Sequence, residues 1–268
     1  MTAPRGAQAG RTGPGGAAVP GPGTPPLLAI ETATTRAVIA LGTLDGTLLA
    51  ADAWDAGHRH SEDLLARIAA LLAGAGIDRP ARGTLAGIVV GTGPGGFTGL
   101  RVGLATAHGI ARATGAPLVG VATGVALEAA ARTVGCLPAG PAAVLLPAGQ
   151  AGRYLVRDGT ASLLPAEVAP GDRALGAGAA KERSSGVGDD PAAGAILVAV
   201  DLPGRAPAEA LARGAAALDG LACALVDLGA ARLRAGADDG SSLGPEYVTM
   251  PRGAAAGTGE VAWSPARP

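Results

Sequence analysis

The hydrophobic positions of this chain change period several times, and the changes mark its elements. Residues 27–30 form an unbroken apolar run, followed by the polar turn Glu31-Thr32-Ala33-Thr34-Thr35 and a second apolar run at 36–41. Short apolar runs bounded by turn residues read as buried strands. Asp45-Gly46 marks a further turn before 47–54, so three antiparallel strands are expected to open the fold. Over 61–73 the period becomes helical, with Leu64, Leu65, Ile68, Leu71 and Leu72 on a broad stripe. Ser61 is a good N-cap there, Glu62 and Asp63 suit the first turn, and Gly74 is a natural stop. A buried strand at 85–90, a helix over 100–114, a strand at 117–121 and a helix at 124–132 capped by Thr123 follow. Glu128 and Arg132 are spaced as an i,i+4 pair on the last of these. Strands are then expected at 142–146, 153–156 and 196–200, a helix near 207–218, and a final strand at 221–225. Three strands, then helix–strand–helix, then a weaker second copy, predict a two-lobed α/β fold.

The glycine-rich stretch GTGPGGFTGLRVG, residues 91–103, stands between the strand at 85–90 and the helix that follows. Such a turn brings backbone N–H groups together at a helix N-terminus, where an anion is favoured. Two phosphate motifs nearly fit. Gly91, Gly93 and Gly96 match G-x-G-x-x-G, but the next acid after the loop is Glu128, too far away to bind a ribose. The Walker pattern fails because Phe97 stands where the lysine must be. A looser phosphate or nucleotide corner stays open, made of Glu31, Thr32, Gly93, Gly95, Gly96 and Thr98.

Within the following helix Gly99, Gly103, Ala107 and Ala111 recur every four residues as one smooth ridge. Gly103 and Gly109 each cost about 1 kcal/mol relative to alanine inside a helix, which asks for a packing reason. The ridge either packs on the chain's own sheet or receives a helix from a partner.

Composition narrows the function. The chain has 268 residues, enough for one or two domains, and is 48% hydrophobic but only 2% aromatic, so its core is aliphatic. Lys181 is its one lysine, and 45 glycines amid much Ala, Pro and Arg point to GC-rich coding, which weakens glycine count as a functional signal. A net charge of −1 and few aromatics count against a chain that grips RNA or DNA alone. Cys136 and Cys223 lack C-x-x-C spacing, which fits a reducing cytoplasm and no zinc site. Apolar residues 118–146 are interrupted by Glu128, Arg132, Gly135, Pro138 and Pro141, which argues against a membrane span. Residues 1–26 read as a disordered extension with no secretory h-region, 171–194 as a flexible loop and 251–268 as a tail in which Val261 and Trp263 could dock.

Four segments carry a family resemblance: LLAIETATTRAVIALG, HSEDLL, GTGPGGFTGLRVGLATAHGIA and PLVGVATGVALEAAA. Their order and spacing resemble the TsaB (YeaZ) family over about residues 27–132. The resemblance implies an actin/Hsp70/sugar-kinase-like, ribonuclease-H-like two-lobed fold, with lobes at 27–115 and 116–250. It implies a dimerisation subunit of the machinery that makes threonylcarbamoyladenosine in tRNA, without catalysis or a cofactor of its own. The implied partners are a homologous TsaD-like catalytic subunit and a TsaE-like accessory ATPase, with ATP at the junction to the latter, or a second copy of the chain when alone. Contact with tRNA would be indirect. The interface so implied uses Ser61, Glu62, Leu64, Leu65, Ile68 and Leu72 of one helix and Gly99, Leu100, Arg101, Gly103, Leu104, Ala107, His108 and Ala111 of the other. The chain departs from the family where its first strand ends in Glu31 instead of Asp, where Gly96 replaces Ser, and across 147–154, PAGQAGRY. The family's closing pattern survives only as Pro245-Glu246-Tyr247-Val248.

Two rival classes stay open. An autonomous phosphotransferase of the sugar or acetate kinase type would rest on Glu31 and the glycine loop. A glycoprotease-like metallohydrolase would rest on His58, His60 and Glu62, although two histidines two residues apart ahead of an N-cap are more often solvated or capping. His108 is expected to be a contact or hydrogen-bonded residue instead of a ligand.

Overall fold

The structure is a computed structural model that describes residues 24–56, 60–149, 152–164, 194–240 and 242–245. The expectations for 1–23, 165–193 and 246–268 lie outside the described residues. So do His58 and the side chains of His60, Ser61 and Glu62.

Three strands open the fold as the sequence predicts: β1 (Leu27–Glu31), β2 (Arg36–Gly42) and β3 (Leu48–Asp55). They are joined by β4 (Gly87–Gly91) and β5 (Leu118–Val121) in a five-stranded sheet of order β3-β2-β1-β4-β5. β1 pairs antiparallel with β2 and parallel with β4. All five β1 residues are buried because the strand is central and covered on both faces. β5 belongs to this first sheet, so a division at residue 115 falls before the strand that completes it.

Leu28 and Ile30 face α1 (His60–Gly74) and α2 (Phe97–Thr114). Leu27 and Ala29 face α3 (Thr123–Thr133) and α4 (Ala208–Arg234). Beyond α3 and α4 lies a second sheet of β6 (Ala142–Ala148), β7 (Gly152–Arg157), β8 (Thr160–Leu164) and β9 (Ile196–Ala199). Its order, β8-β7-β6-β9, repeats that of β3-β2-β1-β4 in the first sheet. The pairing repeats too, since β6 is antiparallel to β7 and parallel to β9. The layers therefore run α1/α2, first sheet, α3/α4, second sheet. Each large aliphatic side chain buried between them contributes about 1.5–3 kcal/mol.

Two expectations need correction. The apolar run 221–225 is no strand but the middle of α4, one 27-residue helix. Apolar runs of that length do not distinguish a strand from a buried helix. α4 is also long and apolar enough to cross a membrane, yet more than half of that stretch is buried against the layers on either side. Thr123 does not cap α3; Ala122 holds the N-cap position and makes no side-chain bond, because the Thr123 hydroxyl is engaged elsewhere. α1 ends at Gly74 as expected, and the turn that follows is closed by Gly76 (φ +79°), with Ile77 N–H returning to the Leu72 carbonyl at 2.9 Å. β8 was not foreseen. Arg132 and Glu128 do form the expected pair, at 2.8 Å.

Candidate functional site

Glu31 ends β1, and its carboxylate turns back under the glycine loop. Oε1 accepts from the Ala33 N–H at 2.6 Å and Oε2 from the Thr123 hydroxyl at 2.7 Å. The same hydroxyl accepts from the Gly93 N–H at 3.0 Å. A Cβ on Gly91 would lie 2.1 Å from Glu31 Oε2, so the end of β4 is glycine to leave room for the carboxylate. Burial pushes the Glu31 carboxyl above the usual carboxylate range, and its hydrogen bonds from Ala33, Thr123 and Thr32 pull the other way.

The loop after β4 is fastened to the β1–β2 turn along its length. Gly96 N–H donates to the Ala33 carbonyl at 2.6 Å, and a Cβ on Gly95 would sit 2.3 Å from that same oxygen. The Thr32 hydroxyl donates to the Gly99 carbonyl at 2.8 Å. The structure thus brings Glu31, Thr32, Gly93 and Gly95 together, but as a closed hydrogen-bonded corner. Glu31 and Thr32 are almost wholly buried, while Gly96 and Thr98 are exposed at the start of α2.

The small ridge on α2 points inward. Gly99, Gly103 and Ala107 are buried, and a Cβ on Gly103 would lie 2.2 Å from Thr32 Oγ1. Leu100 and Leu104 are also buried on this face, as are Leu64, Ile68 and Leu72 of α1. Close packing on the chain's own β1–β2 turn is the reason Gly103 is glycine. Ala111 is half-buried, and His108 Nε2 donates to the Leu243 carbonyl at 3.1 Å, a hydrogen-bonded contact.

A different row faces outward: Phe97, Arg101, Ala105, Gly109 and Ala113, again four residues apart, all exposed. Arg101 stacks its guanidinium 3.8 Å from the Phe97 ring centroid. Nothing lies within 4 Å of the position a Cβ on Gly109 would take. Beside it α1 exposes Leu65, Ala66, Ala69, Ala70 and Ala73. Leu65 at 62% and Phe97 at 44% are two of the four exposed large hydrophobic residues among the described residues.

Two open cavities are lined by residues within 238–244 together with parts of the first lobe. One of about 400 Å³ is lined by Thr92, Gly120, Arg232, Asp239 and Leu243, and one of about 550 Å³ by His108, Arg112, Leu118 and Asp238. The Gly120 N–H at 3.0 Å holds the Asp239 carboxyl below the usual range, helped by Arg232 at 2.6 Å. In the divergent segment, Arg153 is buried in β7 with Nη1 donating to the Arg205 carbonyl at 3.0 Å. Among the described residues no group of three His, Cys, Asp or Glu could hold a metal ion.

Comparison with known proteins agrees with this geometry. The family model described as TsaD, tRNA N6-adenosine threonylcarbamoyltransferase, matches residues 54–179. The structure of YeaZ from Pseudomonas aeruginosa superposes with a TM-score of 0.55 at 21% identity, covering 83% of this chain and 99% of that one. These matches show that the chain has the YeaZ fold. A second Pseudomonas aeruginosa structure, of an uncharacterized protein with similarity to peptidase YeaZ, gives 0.54 at 22% identity over 84% of this chain and all of that one. The fold class is therefore the two-sheet α/β architecture of YeaZ. An uncharacterized protein of Mycobacterium leprae is 41% identical over 99 residues, 35% of this chain and 26% of its own length. The chain thus spans about a quarter of that relative.

Proposed function

We propose that this chain is a non-catalytic subunit that binds and activates a homologous TsaD-like catalytic subunit for threonylcarbamoylation of tRNA in the cytoplasm. The observation that supports it most is the outward row of α2. Gly109 sits in the interior of an 18-residue helix with open space where its side chain would be. A glycine there costs the isolated chain about 1 kcal/mol and gives it no internal packing. A row of Ala105, Gly109 and Ala113 next to Ala66, Ala69 and Ala73 offers two smooth helices side by side, onto which another helix pair could close at short range. Leu65 and Phe97 flank it as larger apolar contacts. The interface proposed here is thus the outer face of the two helices singled out in the sequence, with Leu65 and Arg101 kept from the first set and Ala105, Gly109 and Ala113 added.

The buried Glu31 corner supports the non-catalytic part of this reading. A carboxylate closed under Thr123, Gly91 and Ala33 serves in this proposal as a packing element. In this proposal tRNA meets the catalytic partner, and ATP belongs to the junction with an accessory ATPase. The test is an assay of tRNA threonylcarbamoylation with purified chains, omitting each in turn. Activity that needs both this chain and the catalytic homologue supports the reading, and turnover by this chain alone contradicts it.

A further inference from the structure

Besides their shared packing on α3 and α4, the two lobes are joined by a carboxylate held on two donors of a single residue. Asp201 follows β9 in the second sheet, and Thr35 ends the β1–β2 turn of the first. Asp201 Oδ2 accepts from the Thr35 N–H at 2.6 Å and Oδ1 from the Thr35 hydroxyl at 2.5 Å. Both oxygens are used, and both donors come from one turn residue, so the turn presents a forked seat that fits an oxyanion.

The occupant is held there by the backbone. Asp201 adopts φ +57°, one of two described non-glycine residues in the left-handed region. Val200 N–H donates to the Leu145 carbonyl at 3.0 Å on one side, and Leu202 is fully buried on the other, so the loop is anchored around the carboxylate. Thr35 is fixed as well, since its carbonyl accepts from Ala56 N–H at 2.9 Å. The neighbouring Arg36 is already paired, its Nη1 donating to Asp219 Oδ1 at 2.8 Å. Thr35 is exposed, so the seat stands at the surface, within reach of solutes.

We propose that Asp201 is a built-in latch between the lobes, its carboxylate filling an oxyanion seat on Thr35 that an external phosphate or carboxylate group can take only when Asp201 leaves. The latch adds a polar tie between lobes already packed through α3 and α4, and keeps the seat closed in the resting chain. This inference is independent of the α1/α2 interface.

The test is chemical rescue, read by thermal melting of the full chain in inorganic phosphate and in potassium chloride matched in ionic strength. Asp201→Gly removes the carboxylate while accepting the left-handed backbone. It is expected to melt about 2–4 °C below wild type, and phosphate, unlike chloride, is expected to recover part of that loss. Wild type is expected to show no such preference, and Thr35→Val combined with Asp201→Gly is expected to lose it. Asp201→Asn keeps the backbone preference and one acceptor without the charge, and is expected to melt between the two; it stands in if the glycine variant does not fold. Equal phosphate effects on wild type and Asp201→Gly, or rescue that persists without the Thr35 hydroxyl, would overturn the latch. So would an Asp201→Asn chain that melts like wild type.

Discussion

The Thr123 hydroxyl donates to Glu31 Oε2 at 2.7 Å while accepting from the Gly93 N–H at 3.0 Å. One hydroxyl therefore joins the end of β1, the glycine loop and the first turn of α3. With the carboxylate buried and no cation beside it in the described contacts, protonation is favoured in the folded chain.

That gives a pH prediction with a definite sign. Glu31 has a raised folded value, so the folded chain binds the proton more tightly than the unfolded one. Its contribution is most favourable below the unfolded value of about 4.3 and is lost as pH rises through the raised folded value. Glu31→Gln removes this slope while keeping an acceptor for Ala33. Denaturant unfolding of both proteins across that window is expected to show wild type losing stability relative to the variant as pH rises. Parallel profiles would show that the carboxyl titrates as if exposed.

Gly91→Ala is expected to destabilise the chain by about 1–3 kcal/mol, because its Cβ would meet Glu31 Oε2 at 2.1 Å. Glu31→Ala in the same chain vacates that space. A double-mutant cycle by urea unfolding is expected to show the two changes coupled, with Gly91→Ala costing less in the Glu31→Ala background.

A similar relationship holds in the C-terminal third of α4. A Cβ on Gly229 would lie 2.2 Å from a Val89 methyl of β4. Gly229→Ala is expected to lower the melting temperature although alanine is the better helix former, and Val89→Ala is expected to recover part of the loss. Gly229→Ala melting at or above wild type would show that α4 stands farther from the first sheet than described.

Much of the first lobe was legible because its signals are local. β1 and β2 are apolar runs bounded by the turn at 31–35, and α1 shows Leu64, Ile68 and Leu72 at helical spacing, all three buried. β8 had a signal that went unread: Asp158-Gly159, with φ +49° and +74°, is the two-residue turn between β7 and β8. α4 was broken in two because alanine and glycine carry little periodicity, and only the tertiary contacts show that Gly214, Gly220 and Gly229 face β9, α3 and β4 in turn. The spacing of small residues on α2 does not by itself tell the buried row from the exposed one. Gly103 and Gly109 look alike in sequence; one touches Thr32 and the other touches nothing. The Thr35–Asp201 tie, 166 residues apart, leaves no local trace at all.

Gly109 and Gly103 together decide the docking account. Gly109→Ala is expected to stabilise the isolated chain by about 1 kcal/mol, since the added methyl meets open space, whereas Gly103→Ala is expected to destabilise it by pressing on Thr32. The direct measurement is the affinity of Gly109→Leu for the purified TsaD-like catalytic homologue, alongside its melting temperature. The account predicts a chain as stable as wild type whose binding is weakened at least tenfold. Unchanged binding by a well-folded Gly109→Leu would contradict it.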